Sequence, residues 1–156
     1  MTLDATARES NLRDSIKKYF TDNIKGTEGI DVLYDIGLAT PNLRNKDITR
    51  WLSIGIGNSS RQTISEVLVI IHCVQRKDTE NRKLSQLVDK VMNLLLDTTA
   101  DGDGIKRITL YQSFPLPWTV IGALMVDDII VSNDLEGMDD SNYKTLTVTL
   151  KWPAKV

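Results

Sequence analysis

The period of the apolar residues changes from two to about 3.6 near residue 79, and this change constrains the fold most. Over residues 48–57 the side chains at even positions, mostly apolar, alternate with those of Thr49, Trp51, Ser53, Gly55 and Gly57, which predicts a strand. Asn58-Ser59-Ser60 then predicts a turn, and residues 62–75 predict a second, more buried strand. Residues 79–96 predict an amphipathic helix. Its apolar face contains Leu84, Leu87, Val88, Val91, Leu94 and Leu95.

A first helix is predicted near the N-terminus. Thr6 and Glu9 have the spacing of a capping box. Gly26 and Gly29 are expected to end the helix. Its apolar stripe contains Leu12, Ile16, Tyr19, Phe20 and Ile24. After this helix, residues 30–36 predict a short strand, and residues 37–47 predict a mobile loop because they show no periodicity.

The C-terminal half predicts three more strands, at residues 105–113, 119–132 and 143–152. Residues 133–142, rich in Asp, Asn and Gly, have the composition of a hairpin tip. The last strand alternates strictly, with its apolar side at Leu146, Val148, Leu150 and Trp152. One of its faces is therefore expected to meet a core and the other to meet water or a partner.

These elements predict an α+β fold in which a mostly antiparallel sheet, with a long C-terminal β-hairpin, is packed by two helices. The 156 residues are the size of one domain, and no linker or repeat divides them, so residues 1–156 are predicted to form a single domain. A chain with 41% hydrophobic and 26% charged residues has the composition of a globular protein.

Charge and hydropathy exclude several classes of partner. A net charge of −2 and a pI near 5.4 argue against nucleic-acid sequence recognition, which requires a basic surface. No apolar run approaches the ~20 residues of a membrane-spanning helix. Residues 1–10 are polar, unlike a secretion signal, and the single Cys73 suits a reducing cytoplasm.

Residues suited to catalysis are few, and we expect neither an enzyme nor a bound metal or cofactor. His72, the one histidine, adjoins Cys73 in a predicted strand, where neighbours point to opposite faces. Residues 97–104 resemble a calcium loop, but Thr99 and Leu110 occupy positions that need carboxylates. Gly55-Ile56-Gly57 lacks the third glycine of a phosphate loop and more simply predicts a bulge or a tight strand contact.

An acidic stretch near the C-terminus has two interpretations. It contains Asp127, Asp128, Asp134, Glu136, Asp139 and Asp140, with no Lys or Arg between residues 127 and 143. These carboxylates could belong to a solvated hairpin, where their charge protects a sheet edge. They could also form an acidic surface that docks on a basic patch of a neighbouring protein. Trp51 and Trp118 likewise have two possible fates, in the core or at an interface.

The order of elements resembles that of tail terminator, or tail-completion, proteins of tailed bacteriophages. The resemblance is carried by segment 48–95, which runs from ITRWLSIGIGNSS to LVDKVMNLL and places a long hairpin directly before an amphipathic helix. It implies a structural virion protein of the tail or neck, assembled in the host cytoplasm. Such proteins form a ring, commonly a hexamer, that caps the tail tube and ends its polymerisation.

The resemblance also implies partners: the tail tube protein, the head-side connector protein and possibly the sheath. The expected contacting segments are residues 38–47, which include Pro41, Asn42 and Arg44, and the hairpin tip at residues 133–142. Two alternatives stay open. One is another neck or head-completion protein, and the other is a small cytoplasmic enzyme, which would require a deep pocket with convergent polar groups.

Overall fold

The computed structural model describes residues 8–35, 49–60, 62–78, 80–96, 106–113, 116–136 and 141–153. Its helical elements are α1 (Arg8–Phe20), a π-helical segment (Thr21–Lys25), α2 (Gly26–Glu28) and α3 (Arg82–Leu95). Its strands are β1 (Asp31–Tyr34), β2 (Arg50–Ser60), β3 (Ile64–Arg76), β4 (Arg107–Gln112), β5 (Thr119–Val131), β6 (Leu135–Glu136) and β7 (Ser141–Pro153).

The first helical region is longer than predicted, because α1 continues through the π-helical segment into α2. Gly26 does not end the helix as expected, since its backbone is right-handed helical. The end comes at Gly29, which has a φ of 67° and supplies the left-handed residue typical of a helix C-terminus. The predicted cap residue Thr6 lies outside the described residues.

One sheet contains all the strands, in the order β1-β2-β3-β7-β5-β4, with β6 paired to β7. Only β1 and β2 run parallel, and the other pairs are antiparallel. The predicted hairpin of residues 48–75 is confirmed by the antiparallel ladder of β2 with β3. Its predicted turn is wrong, because Asn58, Ser59 and Ser60 lie within β2, where Ser59 pairs with Val67 and Ser60 with Glu66. The α+β class, with a mostly antiparallel sheet packed by two helical regions, is also confirmed.

The two faces of the sheet differ, and we call the side that α1 and α3 cover the inner face and the opposite side the outer face. Inner side chains of β3 and β7, such as Val69 and Val148, pair across the strands and are buried. They join α3 residues, such as Leu87, in one apolar cluster. This cluster also takes in Leu12 and Ile16 of α1, so the sheet buries a single core with both helical regions.

The helix α3 begins at Arg82, three residues later than the pattern predicts. The carboxylate of Asp78 explains this start, because it accepts a hydrogen bond from the Leu84 N–H at 2.9 Å. That N–H is among the first four of the helix, which have no partner within the helix itself.

The β4 edge of the sheet is covered by α1. The Ser15 hydroxyl, which is buried, accepts a hydrogen bond from the Tyr111 N–H at 2.8 Å. It donates to the carbonyl oxygen of Asn11, one turn earlier in the helix, at 2.7 Å. A helix side chain thus satisfies an edge group that would otherwise be open to pairing with another strand.

We therefore expect Ser15→Ala to destabilise the fold by about 1–3 kcal/mol, because the Tyr111 N–H loses its acceptor in a partly buried place. Urea unfolding would measure the loss. Ser85→Ala is the matched control, since Ser85 makes the same bond to the carbonyl one turn earlier but is exposed. Equal effects of the two substitutions would contradict this account.

Candidate protein-interaction surface

The outer face of the sheet carries exposed apolar side chains where an antiparallel sheet usually presents polar ones. On β5, Met125 pairs with Lys151 and Ile130 pairs with Thr147, and their exposed fractions are 46% and 60%. Leu68 and Ile70 of β3 share this face and are half-buried. Exposed apolar side chains on a sheet face are typical of interaction sites.

A second group of exposed apolar side chains lies where the chain enters β5. We call it the apolar corner, and it consists of Leu116, Trp118 and Val120, which are 75%, 38% and 62% exposed. The ring of Trp118 packs at 5.7 Å from that of Tyr111, and the Lys18 ammonium lies 5.7 Å from the Trp118 ring centre. Of the two fates predicted for Trp118, the structure therefore favours the surface.

Trp51 has the opposite fate, since only 1% of it is exposed. The guanidinium group of Arg76 lies 5.1 Å from its ring centre, the arrangement of a cation–π contact. The indole Nε1 has no hydrogen-bond partner among the described residues. Trp51 is thus an interior residue rather than an interface residue.

The predicted acidic residues do not form one uniform surface. Asp127 occupies a bulge of β5, between the pairs formed by Val126 and Asp128, and its carboxylate is 3.0 Å from the Lys151 ammonium. The hydrogen bond to Asp127, together with the charge of this carboxylate, raises the pKa of Lys151. A bulge and a charge at this point are devices that protect a sheet edge.

The remaining described acids lie towards the end of β5 and beyond it. Asp134 is 3.3 Å from the Lys144 ammonium, and it accepts a hydrogen bond from the side-chain amide of Asn81. Asp128 and Glu136 are exposed, and the ion pairs of the described residues include neither. These two carboxylates are therefore the acids best placed to meet a partner.

Five predicted interface residues lie outside the described residues. They are Pro41, Asn42, Arg44, Asp139 and Asp140. The expected contacts of residues 38–47, and of the tip at residues 137–140, stay predictions.

His72 and Cys73 point to opposite faces, as the alternation predicts. Cys73 lies in the core, where burial raises the pKa of its thiol to about 12 and keeps it protonated. His72 lies on the outer face, where its Nδ1 is 2.9 Å from the Thr145 hydroxyl and its ring packs edge-on against Tyr143. The two side chains therefore cannot share a ligand.

Two grooves in the described part of the chain each contain an ion pair. The one beside Trp118 has a volume of about 470 Å³ and includes Lys18, whose ammonium is 2.8 Å from the Asp22 carboxylate. That hydrogen bond raises the pKa of Lys18. Another groove, of about 330 Å³, contains the ion pair between Lys90 and Glu28.

Among the described residues, no three His, Cys, Asp or Glu side chains are grouped so that they could hold a metal ion. No helix in the same part of the chain is both long enough and apolar enough to span a bilayer.

Comparison with known proteins supports the fold and gives no family. No family model matches the chain, and no curated protein does. Among the 15 matching chains of solved structures, one aligns with a TM-score of 0.59 over 92% of this chain and 94% of its own length. That protein is known by a serial designation that states no function, and it is 12% identical in sequence to this chain. At this identity the likeness concerns the fold alone.

The exposed apolar residues Met125 and Ile130 were missed by the sequence interpretation, which assigned the interface to the acidic residues and to the segment with Pro41, Asn42 and Arg44. A signal was present, because β5 carries apolar residues at both odd and even positions, including Leu124, Met125 and Val126. A strand with one solvated face normally shows a single apolar side. Apolar residues on both sides therefore predict a second contact.

His72 gives a prediction for the pH dependence of stability. Its burial lowers the pKa in the folded state below the ordinary value of 6.5, so the folded chain prefers the neutral imidazole. This preference contributes its full amount to the free energy of unfolding above pH 6.5. The contribution is lost as the pH falls through the lowered pKa, because the unfolded chain binds the proton first.

We therefore expect wild type to lose more stability than His72→Gln when the pH is lowered from about 7.5 to about 5. Urea unfolding at several pH values measures the difference, and the shared titration of all other groups cancels between the two proteins. Parallel stability curves would show that His72 contributes nothing.

Proposed function

We propose that this chain is a structural subunit of a bacteriophage tail, a terminator that forms a ring on the end of the tail tube. The observation that carries the proposal is the exposed apolar outer face, with Met125 and Ile130 about half exposed on an otherwise well-packed sheet. Surface of this composition is suited to contacts between proteins.

The arrangement of elements adds support through its resemblance to tail terminators. A helix, a strand, the β2–β3 hairpin, the helix α3 and closing strands follow one another in that order. The proposal includes a long C-terminal hairpin, in which β5 and β7 are the arms and residues 133–142 the tip. In the assembled tail this tip would reach the tube, the connector or the sheath.

In this proposal, the sheets of neighbouring subunits meet around the ring, commonly a hexamer in proteins of this kind. The ring ends tube polymerisation and offers a surface to the head-side connector. Asp128 and Glu136 would meet a basic patch on a neighbour, where charges at the rim of an interface steer association and fix orientation. The protein would assemble in the host cytoplasm and remain in the tail or neck of the virion.

Native mass spectrometry over rising protein concentration, with negative-stain images of the same samples, tests the ring. We expect a discrete closed oligomer, because repeated head-to-tail contacts that close form rings. Co-sedimentation with assembled tail tubes tests the capping role. Failure to bind tube ends, with or without a preformed ring, would reject the terminator function.

The acidic residues give a separate prediction. Asp128→Asn combined with Glu136→Gln should weaken tube or connector binding by about twofold to about thirtyfold at low salt, because exposed ion pairs contribute ~0.2–1 kcal/mol each. The fold should be unaffected, since both side chains are exposed. Binding would be measured by co-sedimentation at two salt concentrations.

Asp89→Asn is the control for charge alone, since Asp89 is exposed on α3. Unchanged binding by the double variant would show that Asp128 and Glu136 belong to a solvated sheet edge and do not contribute to binding.

A further inference from the structure

The groove beside Trp118 brings an exposed aromatic ring together with charged and hydroxyl side chains. We call it the Trp118 groove, and its volume of about 470 Å³ is in the range of small-molecule sites. Its lining residues are Asp14, Lys17, Lys18, Thr21, Asp22 and Trp118. The first helical region and the entrance to β5 thus form a site that has both a ring for stacking and groups for hydrogen bonding.

Trp118 is held in place from within the protein. Its ring lies 5.7 Å from the Tyr111 ring, tilted by 58°, and the Lys18 ammonium is 5.7 Å from the Trp118 ring centre. The same ammonium is 5.9 Å from the Tyr111 ring centre. Because 38% of Trp118 stays exposed, part of a fixed ring faces the solvent. A ligand that stacks on this ring loses little affinity to the ordering of a side chain.

The charges of the groove are balanced within the chain. The Lys18 ammonium is 2.8 Å from the Asp22 carboxylate, and Asp14 accepts a hydrogen bond from the Ser113 hydroxyl at 2.6 Å. Two lysines and two aspartates line the groove, so its formal charge is zero (2 − 2). A groove with balanced charges favours a neutral ligand, because a charged one would compete with these internal contacts.

The charged groups of the groove keep hydrogen-bonding capacity. A carboxylate accepts about four hydrogen bonds, and a lysine ammonium donates three. In the described part of the chain, one side chain donates to the Asp14 carboxylate, and one donates to the Asp22 carboxylate. The Lys18 ammonium donates one hydrogen bond there, to Asp22. Acceptors and donors are therefore both available beside the Trp118 ring.

These properties together select one class of ligand. An apolar chain would cover the ring, but it would also remove carboxylates and an ammonium from water without replacing their hydrogen bonds, which is costly. An anion or a cation gains little from a groove of zero formal charge. A neutral sugar ring fits all three properties, since its C–H face stacks on aromatic rings and its hydroxyl groups both donate and accept.

We propose that the Trp118 groove binds a neutral sugar residue of an oligosaccharide. The sugar ring stacks on Trp118, and its hydroxyl groups form hydrogen bonds with Asp14, Asp22 and Lys18. This site goes beyond the proposed function and does not rest on it, because none of its residues belongs to the outer face of the sheet.

Tryptophan fluorescence tests the binding. Of the three tryptophans, Trp51 and Trp152 are buried, so a ligand in the groove should change the emission of Trp118. The probes are the neutral trisaccharides of glucose, mannose, galactose and N-acetylglucosamine. We expect a saturable blue shift with at least one of them. Trigalacturonic acid should give no such shift, because its carboxylates would meet those of Asp14 and Asp22.

Substitutions locate the site. Trp118→Ala should weaken binding about tenfold or more, as measured by saturation-transfer NMR on the sugar, because this variant lacks the fluorescent reporter. Trp118→Phe keeps a smaller ring and should retain part of the affinity. Asp14→Ala keeps the reporter and should weaken binding by about tenfold, the equivalent of one hydrogen bond to a charged group.

Leu116→Ala is the matched control. Leu116 is 75% exposed and belongs to the apolar corner, but it does not line the groove. This variant should bind sugar like wild type. Urea unfolding of every variant checks that the fold is retained.

Several results would overturn the sugar site. They are the absence of a saturable shift with all the neutral trisaccharides, an equal shift with trigalacturonic acid, and unchanged affinity in Trp118→Ala or Asp14→Ala. A loss in Leu116→Ala as large as in Trp118→Ala would also overturn it and would assign the apolar corner to a contact with another protein. Binding to tail tubes is measured separately, so the sugar site and the terminator function can fail independently.

Discussion

The antiparallel pairing of β3 with β7 is the interaction on which the rest of the structure depends. Its register runs without a shift from Ile64 opposite Pro153 to Arg76 opposite Ser141. Because side chains in a strand alternate between faces, a slip of one residue would exchange the inner and outer faces of a strand. This ladder therefore places Val69 and Val148 in the core and Ile70 and Thr147 on the opposite side.

The local features of the fold could be predicted from the sequence because they depend on short-range periodicity. The β2–β3 pairing, the helix α3 and the alternation of β7 all follow from apolar spacing within about 15 residues. The strand order could not be predicted, since it places β7 between β3 and β5 through contacts between residues far apart in the chain. The extension of α1 beyond Gly26 was also missed, because glycine can occupy a helix when neighbours such as Ile24 are held in the core.

The candidate site was harder to predict than the fold, and the reason is physical. A run of carboxylates is conspicuous in a sequence, but its charge can be balanced by lysines that only the fold brings near, as Lys151 balances Asp127 and Lys144 balances Asp134. The fates of Trp51 and Trp118 differ for a similar reason. Trp51 lies on β2, paired on both sides by β1 and β3, beside Arg76, whereas Trp118 lies where the chain enters β5.

The edges and the faces of the sheet differ in how they are protected from contact with another chain, and the difference indicates where a partner fits. At β4 the Ser15 side chain of α1 satisfies the edge, and on β5 the bulge at Asp127 with its ion pair interrupts regular pairing. Such devices discourage the addition of strands at an edge. On the outer face, by contrast, Ile130 and Met125 stay about half exposed, beside the uncharged row of Thr145, Thr147 and Thr149.

Side chains as exposed as Ile130 contribute little to the stability of the isolated subunit, because hydrophobic stabilisation scales with the apolar area removed from water. Glycines inside β2 reduce stability rather than add to it. Folding alone therefore explains neither the exposed apolar residues of the outer face nor the glycines inside β2. A contact that covers Ile130 and Met125 would account for their exposure, and because the edge formed by β4 and β5 is guarded, that contact is expected to be one of side chains across the face rather than strand addition at this edge.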